Sequence, residues 1–179
     1  SMHPKHGYKK KKHYALTELH KAAFHGNATT LETLLTEENW DVNARSKDNS
    51  TPLMLAALKG QKIALMVLLE AQPLVNAQNN DGNTALHAAA RMNHAAVISM
   101  LIAAGADPNI QNKYGNTPAH VAARNDNCQA LGILLARGAR IDIRNNKKEL
   151  AEDIVIDAIV RSCKPSPKTW QGCSACLPN

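Results

Sequence analysis

The sequence predicts an all-α repeat solenoid, a stack of helix-turn-helix units joined by β-hairpin-like loops. Three observations predict it. Thr51, Thr84 and Thr117 recur 33 residues apart, and an earlier copy, Thr17, stands 34 residues before Thr51. A pair of alanines follows each Thr at the same distance: Ala22-Ala23, Ala56-Ala57, Ala89-Ala90 and Ala122-Ala123. An apolar triplet at i, i+3, i+4 then follows each pair: Leu31-Leu34-Leu35, Leu65-Leu68-Leu69, Ile98-Leu101-Ile102 and Leu131-Leu134-Leu135. A unit of this period cannot bury its apolar face alone, so it stacks on its neighbours.

Each element has a local reason. The Thr hydroxyl suits a helix N-cap, and Pro52 and Pro118 follow at the first helical position, where the missing N–H costs nothing. Alanine favours helix and lets neighbouring helices approach closely. Gly26, Gly60, Asn93 and Asp126 fill the next position, where a tight helix-to-helix turn needs a left-handed backbone. The triplet spacing marks one face of a second, amphipathic helix. Gly105 and Gly138 end that helix as left-handed caps, and Gln72 takes the place in the second copy. Val42-Asn43-Ala44, Val75-Asn76-Ala77 and Pro108-Asn109-Ile110 read as short extended pieces. An Asp-Gly or Tyr-Gly tip then returns the chain to the next helix pair.

The runs Gly82-Asn83-Thr84-Ala85-Leu86-His87-Ala88-Ala89, Gly115-Asn116-Thr117-Pro118-Ala119-His120-Val121-Ala122-Ala123 and Ala104-Gly105-Ala106-Asp107-Pro108-Asn109 resemble the ankyrin repeat family. On that resemblance residues 15–162 form an ankyrin repeat domain, with repeats over about 15–46, 47–79, 80–112 and 113–145 and a degenerate capping helix over 146–162. In the cap, Ala151 takes the place of the usual Pro, and Ile154, Val155, Ala158 and Ile159 are expected to cover the fourth repeat. The first copy carries Thr29, Thr30, Glu32, Thr33 and Thr36 around its leucines, the polar outer surface that a terminal repeat requires. Trp40 is expected to pack over the adjoining loop.

Charge divides the chain. Residues 1–14 hold five of the 21 basic residues and no acid, which leaves 16 basic against 15 acidic residues elsewhere. The expected arrangement is a basic flexible tail on a neutral stack, so the folded part carries no electrostatic signature of a nucleic-acid binder. Lys9 to Lys12, with His3, His6 and His13, also suit an import signal or an anionic surface. No apolar run approaches the ~20 residues of a membrane span. Residues 163–179 break the periodicity with Pro165, Pro167 and Pro178, and read as a tail or the start of a truncated segment. Cys173 and Cys176 have the spacing of half a zinc site, but no second pair follows. Reduced thiols are expected, with a cut-off zinc module, lipidation at Cys176 or a redox pair as the alternatives. Without a secretory signal the expected location is intracellular, in cytoplasm or nucleus.

No nucleophile elbow, phosphate loop or paired carboxylate motif appears, and no catalytic residue, cofactor or metal is assigned. His20, His87 and His120 stand three residues after their Thr, one or two repeats apart, at about 10 Å per packed helix layer, too far to share a metal. The resemblance makes them structural, bonding backbone and Thr groups. It also implies a non-catalytic protein-protein interaction module that holds a protein or peptide on its concave face and hairpin tips. The alternatives are a regulatory or targeting fragment of a larger enzyme, or a secreted bacterial effector adaptor.

Carried over copy by copy, the helix-edge contact positions are Phe24 and His25, Leu58 and Lys59, Arg91 and Met92, and Arg124 and Asn125. The tip positions include Arg45, Lys47, Gln78, Asn80, Lys113 and Tyr114. Aromatic, Met and Arg side chains are the types enriched at interface centres, and the surrounding cations imply a partner with acidic and apolar character. The chain is expected to be a monomer. Asn43, Asn76 and Asn109 occupy the place where ankyrin repeats resemble substrates of an asparaginyl hydroxylase, and Asn43 fits best, with Asp41-Val42 before it and Leu35 eight residues upstream.

Overall fold

A computed structural model describes residues 16–36 and 40–154. The basic tail, Cys163, Cys173, Cys176, and the cap residues Val155, Ala158 and Ile159 lie outside them. Eight helices run through the described part in four pairs: α1 (Glu18–His25) with α2 (Ala28–Thr36), α3 (Pro52–Lys59) with α4 (Lys62–Glu70), α5 (Ala85–Arg91) with α6 (Ala95–Ala103), and α7 (Pro118–Arg124) with α8 (Cys128–Ala136). Odd-numbered helices pack in one row, here the inner, and even-numbered helices in a second, the outer, each on its sequence neighbour in the row. No strand forms among the described residues, and the single β-bridge joins Arg144 to Leu150. The chain returns to helix at 151–154, where Ala151 and Ile154 are buried.

Three of the four threonines cap as their spacing predicts, while the Thr84 hydroxyl bonds the His87 ring instead. Thr17, Thr51 and Thr117 accept from the N–H three residues on, with the Thr backbone extended. Gly26 (φ 75°), Gly60 (φ 68°), Asn93 (φ 58°) and Asp126 (φ 56°) take the left-handed conformation that the inter-helix turn demands. Gln72 does so as well, at φ 53°.

Packing follows the pattern with one refinement. All four alanine pairs are buried, and so are the first two members of every triplet, Leu31 and Leu34, Leu65 and Leu68, Ile98 and Leu101, Leu131 and Leu134. The third members, Leu35, Leu69, Ile102 and Leu135, lie half in solvent, because no further layer covers the outer row. Trp40, expected to pack over the adjoining loop, is partly buried against the core.

The pieces expected to be extended are tight turns. The Asp41 carboxylate accepts the Asn43 N–H at 2.9 Å, and Asp107 does the same for Asn109 at 2.8 Å. An Asp two residues upstream offers the backbone a turn in place of a strand, and the extended reading overlooked it.

Candidate protein-binding surface

The hairpins that follow each turn form a ladder. Ser46, Asn79, Asn112 and Asn145 each donate a backbone N–H to the carbonyl four residues on. Successive tips then bond directly: Asn80 N–H to the Asp48 carbonyl, Lys113 to Asp81, and Asn146 to Tyr114. Side chains continue the ladder at the 33-residue period. Arg45 Nη1 donates to the carbonyls of Asn49 (2.8 Å) and Gln78 (3.1 Å), and Gln78 Nε2 to those of Gly82 (2.7 Å) and Gln111 (3.2 Å). Gln111 repeats the arrangement with Gly115 and Arg144. Asn80 accepts from the Asn49 amide at 2.7 Å. Arg45, Gln78 and Asn80, expected to be free for a partner, thus already join repeat to repeat.

The three histidines work within this frame. His87 Nδ1 accepts from the Thr84 N–H (3.1 Å) and the Thr84 hydroxyl (2.9 Å), while Nε2 donates to the Asn116 carbonyl of the next repeat (2.9 Å). His120 bonds to Thr117 and Glu149 in the same way, and His20 Nε2 donates to the Ser50 carbonyl. With Nδ1 as the acceptor, the neutral ring is the form that fits. Burial pushes His87 down to about 4, and burial likewise lowers His20 and His120 below the usual histidine range. No group of three or more His, Cys, Asp or Glu among the described residues is placed to hold a metal ion.

The helix-edge positions come together at the C-terminal ends of α1, α3, α5 and α7. Phe24 and Leu58 are half-buried, and Met92 is 45% exposed. The Lys59 ammonium sits 4.6 Å from the centre of the Phe24 ring, and His25 meets that ring edge-on at 5.2 Å. Arg91 is exposed and makes no ion pair among the described residues. The cations beyond are occupied. Lys113 pairs with Asp81 and lies over the Tyr114 ring at 4.9 Å, and Arg124 pairs with Glu149 at 2.8 Å. Asn125 turns back on its own helix, donating to the Val121 carbonyl at 2.7 Å. Lys47 and Tyr114 remain exposed at the tips. Asp81 and Glu149 thus neutralise the cations at the α7 end, so the open cations are those over α1, α3 and α5.

Two sets of residues escaped the sequence reading. Leu55, Ala88 and Val121 are half-exposed one helical turn before Leu58, Arg91 and Arg124, and extend the same face with apolar surface. Their signal was a helix position lacking charge in the second, third and fourth copies. Gln61, His94 and Asn127 reach back across the stack. Gln61 Nε2 donates to the Phe24 carbonyl (3.3 Å), His94 Nε2 to that of Leu58 (3.2 Å), and Asn127 Nδ2 to those of Ala90 and Arg91 (both 2.8 Å). They satisfy carbonyls that a helix end leaves open, and so fix the backbone under the contact positions.

Asn43 differs from its counterparts. Asn76 and Asn109 each accept a backbone N–H from the next repeat and donate Nδ2 to the carbonyl of Gly105 or Gly138. Asn43 accepts from the Leu74 N–H at 2.7 Å, without the matching Nδ2 bond.

No helix among the described residues is long and apolar enough to cross a membrane. No individual curated protein matches the chain. A family model described as ankyrin repeats in three copies matches residues 19–112 and 74–145. Paired helices, left-handed turns, histidine bridges and hairpin ladder fill that matched span, and the chain belongs to the ankyrin repeat family.

Proposed function

We propose that this ankyrin stack is a non-catalytic binding module that holds an acidic and apolar peptide or protein surface across the inner-row ends of α1, α3 and α5. Ankyrin repeats are generally protein-binding modules. The finer reading rests on one observation: Phe24, Leu58 and Met92 lie on successive helix ends with Lys59, Arg91 and His25, with Phe24 and Leu58 half-buried and Met92 exposed. An apolar centre edged by cations suits a ligand whose acids flank an aromatic or aliphatic anchor. Lys47 and Tyr114 extend the contact to the tips, while Lys113, Arg124, Arg45, Gln78, Asn80 and Asn125 hold the surface in shape.

Selection from a random displayed peptide library tests this. Selected peptides are expected to combine Asp or Glu with Leu, Phe or Trp. Arg91→Glu with Met92→Ala is expected to weaken them by about 2 kcal/mol or more, with melting unchanged. Thr29→Arg, on the outer face of α2, is expected to leave binding intact. Loss of binding with Thr29→Arg and its survival in the double variant would place the ligand on the other row.

A further inference from the structure

The outer row is unlike the inner. On α2 its exposed positions are polar: Thr29, Glu32 and Thr36. On α4 the corresponding positions are Ile63 (69% exposed), Met66 (53% exposed) and Glu70. On α6 they are Ala96, Ser99 and Ala103, and on α8 Gln129, Gly132 and Ala136. The face thus carries a ridge of two large apolar side chains on α4, a flat floor on α6, and a dent on α8. A Cβ at Gly132 would meet nothing within 4 Å. From Ala95 to Ala136 the outer row has no charge. Its charged rim is Lys62 and Glu70 on the α4 side and Arg137 on the α8 side. Neither Glu70 nor Arg137 makes an ion pair among the described residues.

Ridge and dent lie on opposite sides of α6, each one helix away. A two-fold axis running along α6, in the plane of the face, carries α4 of one copy over α8 of the other. The rows keep their level under that operation. Ile63 then faces Gln129, Met66 faces Gly132, and Ala96, Ser99 and Ala103 each face themselves at the axis, where small side chains permit close approach. Glu70 stands opposite Ala136, beside Arg137. A rotation about the stacking direction would set ridge on ridge instead. The face is therefore complementary to itself in shape, as an isologous contact requires, and Glu70 meets Arg137 at the rim, while Lys62 comes over the uncharged start of α8.

We propose that the chain forms a two-fold dimer through the outer faces of α4, α6 and α8. Three helices of about 13 Å, spaced about 10 Å apart, offer a footprint of roughly 400 Å² per copy, about 800 Å² in total, below the roughly 1,000 Å² that a stable specific contact clears. The dimer is accordingly weak and concentration-dependent. Its inner rows point away from each other, so one dimer presents two copies of the proposed binding surface and gains avidity for partners displayed in pairs.

Sedimentation velocity of the full chain, from low micromolar to near-millimolar concentration, tests the proposal. The wild type is expected to pass from monomer to dimer. Gly132→Arg fills the dent with a better helix former in open space, so the fold is retained, as circular dichroism is expected to verify. It is expected to weaken dimerisation about tenfold or more. Glu70→Arg alone is expected to weaken it too, and adding Arg137→Glu to restore it. A chain that stays monomeric throughout, a dimer indifferent to Gly132→Arg, or a charge reversal that restores nothing would overturn the arrangement.

Discussion

His87 Nε2 donates to the Asn116 carbonyl of the next repeat at 2.9 Å, and one repeat earlier the same position is Met54, which has no such proton to give. The Met54 sulfur takes over only the inward half of the role, lying 3.5 Å from the Thr51 N–H. The seam between the second and third repeats therefore lacks a bridge that His20, His87 and His120 supply at the other three.

Met54→His restores the missing donor to the Asn83 carbonyl. It is expected to stabilise the stack by about 0.5–1.5 kcal/mol, the net worth of one hydrogen bond. Urea melts at neutral pH measure it, and a loss of stability would mean that the seam is packed for the thioether.

The same bridges make stability depend on pH. An unfolded His titrates near 6.5, whereas His87 is held down to about 4 by burial, and His20 and His120 are lowered in the same direction. Between those values the unfolded chain binds more protons than the folded one, so stability falls as pH falls from about 6.5 towards 4. The loss from His87 alone reaches about 3 kcal/mol once the folded group also protonates. Melts at pH 7.5 and pH 4.5 are expected to show the decline, and His87→Met, copying the second repeat, to shrink it. Equal stability at the two pH values would contradict the neutral bridging ring.

Core deletions rank by position. Leu101 is fully buried in the third repeat, and Leu101→Ala is expected to cost about 2–5 kcal/mol. Leu35, half-buried in the first repeat, is expected to cost less. Denaturant midpoints in the reverse order would contradict the repeat assignment.

Asn109→Ala and Asn76→Ala each remove two bonds to the next repeat, and Asn43→Ala removes one. The first two are expected to cost more, by about 1 kcal/mol. The looser tie also favours Asn43 as the hydroxylation candidate. Mass spectrometry after incubation with an asparaginyl hydroxylase is expected to find one added oxygen on the Asn43 peptide, and no gain there removes the assignment.

The fold was legible because its determinants are local and repeated. Thr51, Ala56, Gly60 and Leu65 each announce one step of a unit, and three further copies confirm the register. The surface was legible only in part, because a side chain's type does not tell where its hydrogen bonds go. Arg45 and Gln78 look like contact residues, yet their donors are spent on carbonyls 4 and 33 residues away. Lys113 and Arg124 meet Asp81 and Glu149, 32 and 25 residues away, a pairing that only the stacked geometry creates. The outer face escaped notice for a related reason: Met66 and Gly132 acquire a relation only when α4 and α8 flank α6.

The methionine methyl groups give the most direct test. Met92 lies on the proposed binding surface, Met66 and Met100 in the outer row, and Met54 is buried. With methyl-labelled Met at low protein concentration, titration with a selected acidic and apolar peptide is expected to shift the Met92 signal and leave Met66 and Met100 in place. A peptide that moves Met66 while Met92 stays fixed would contradict the assignment of the inner row as the binding surface.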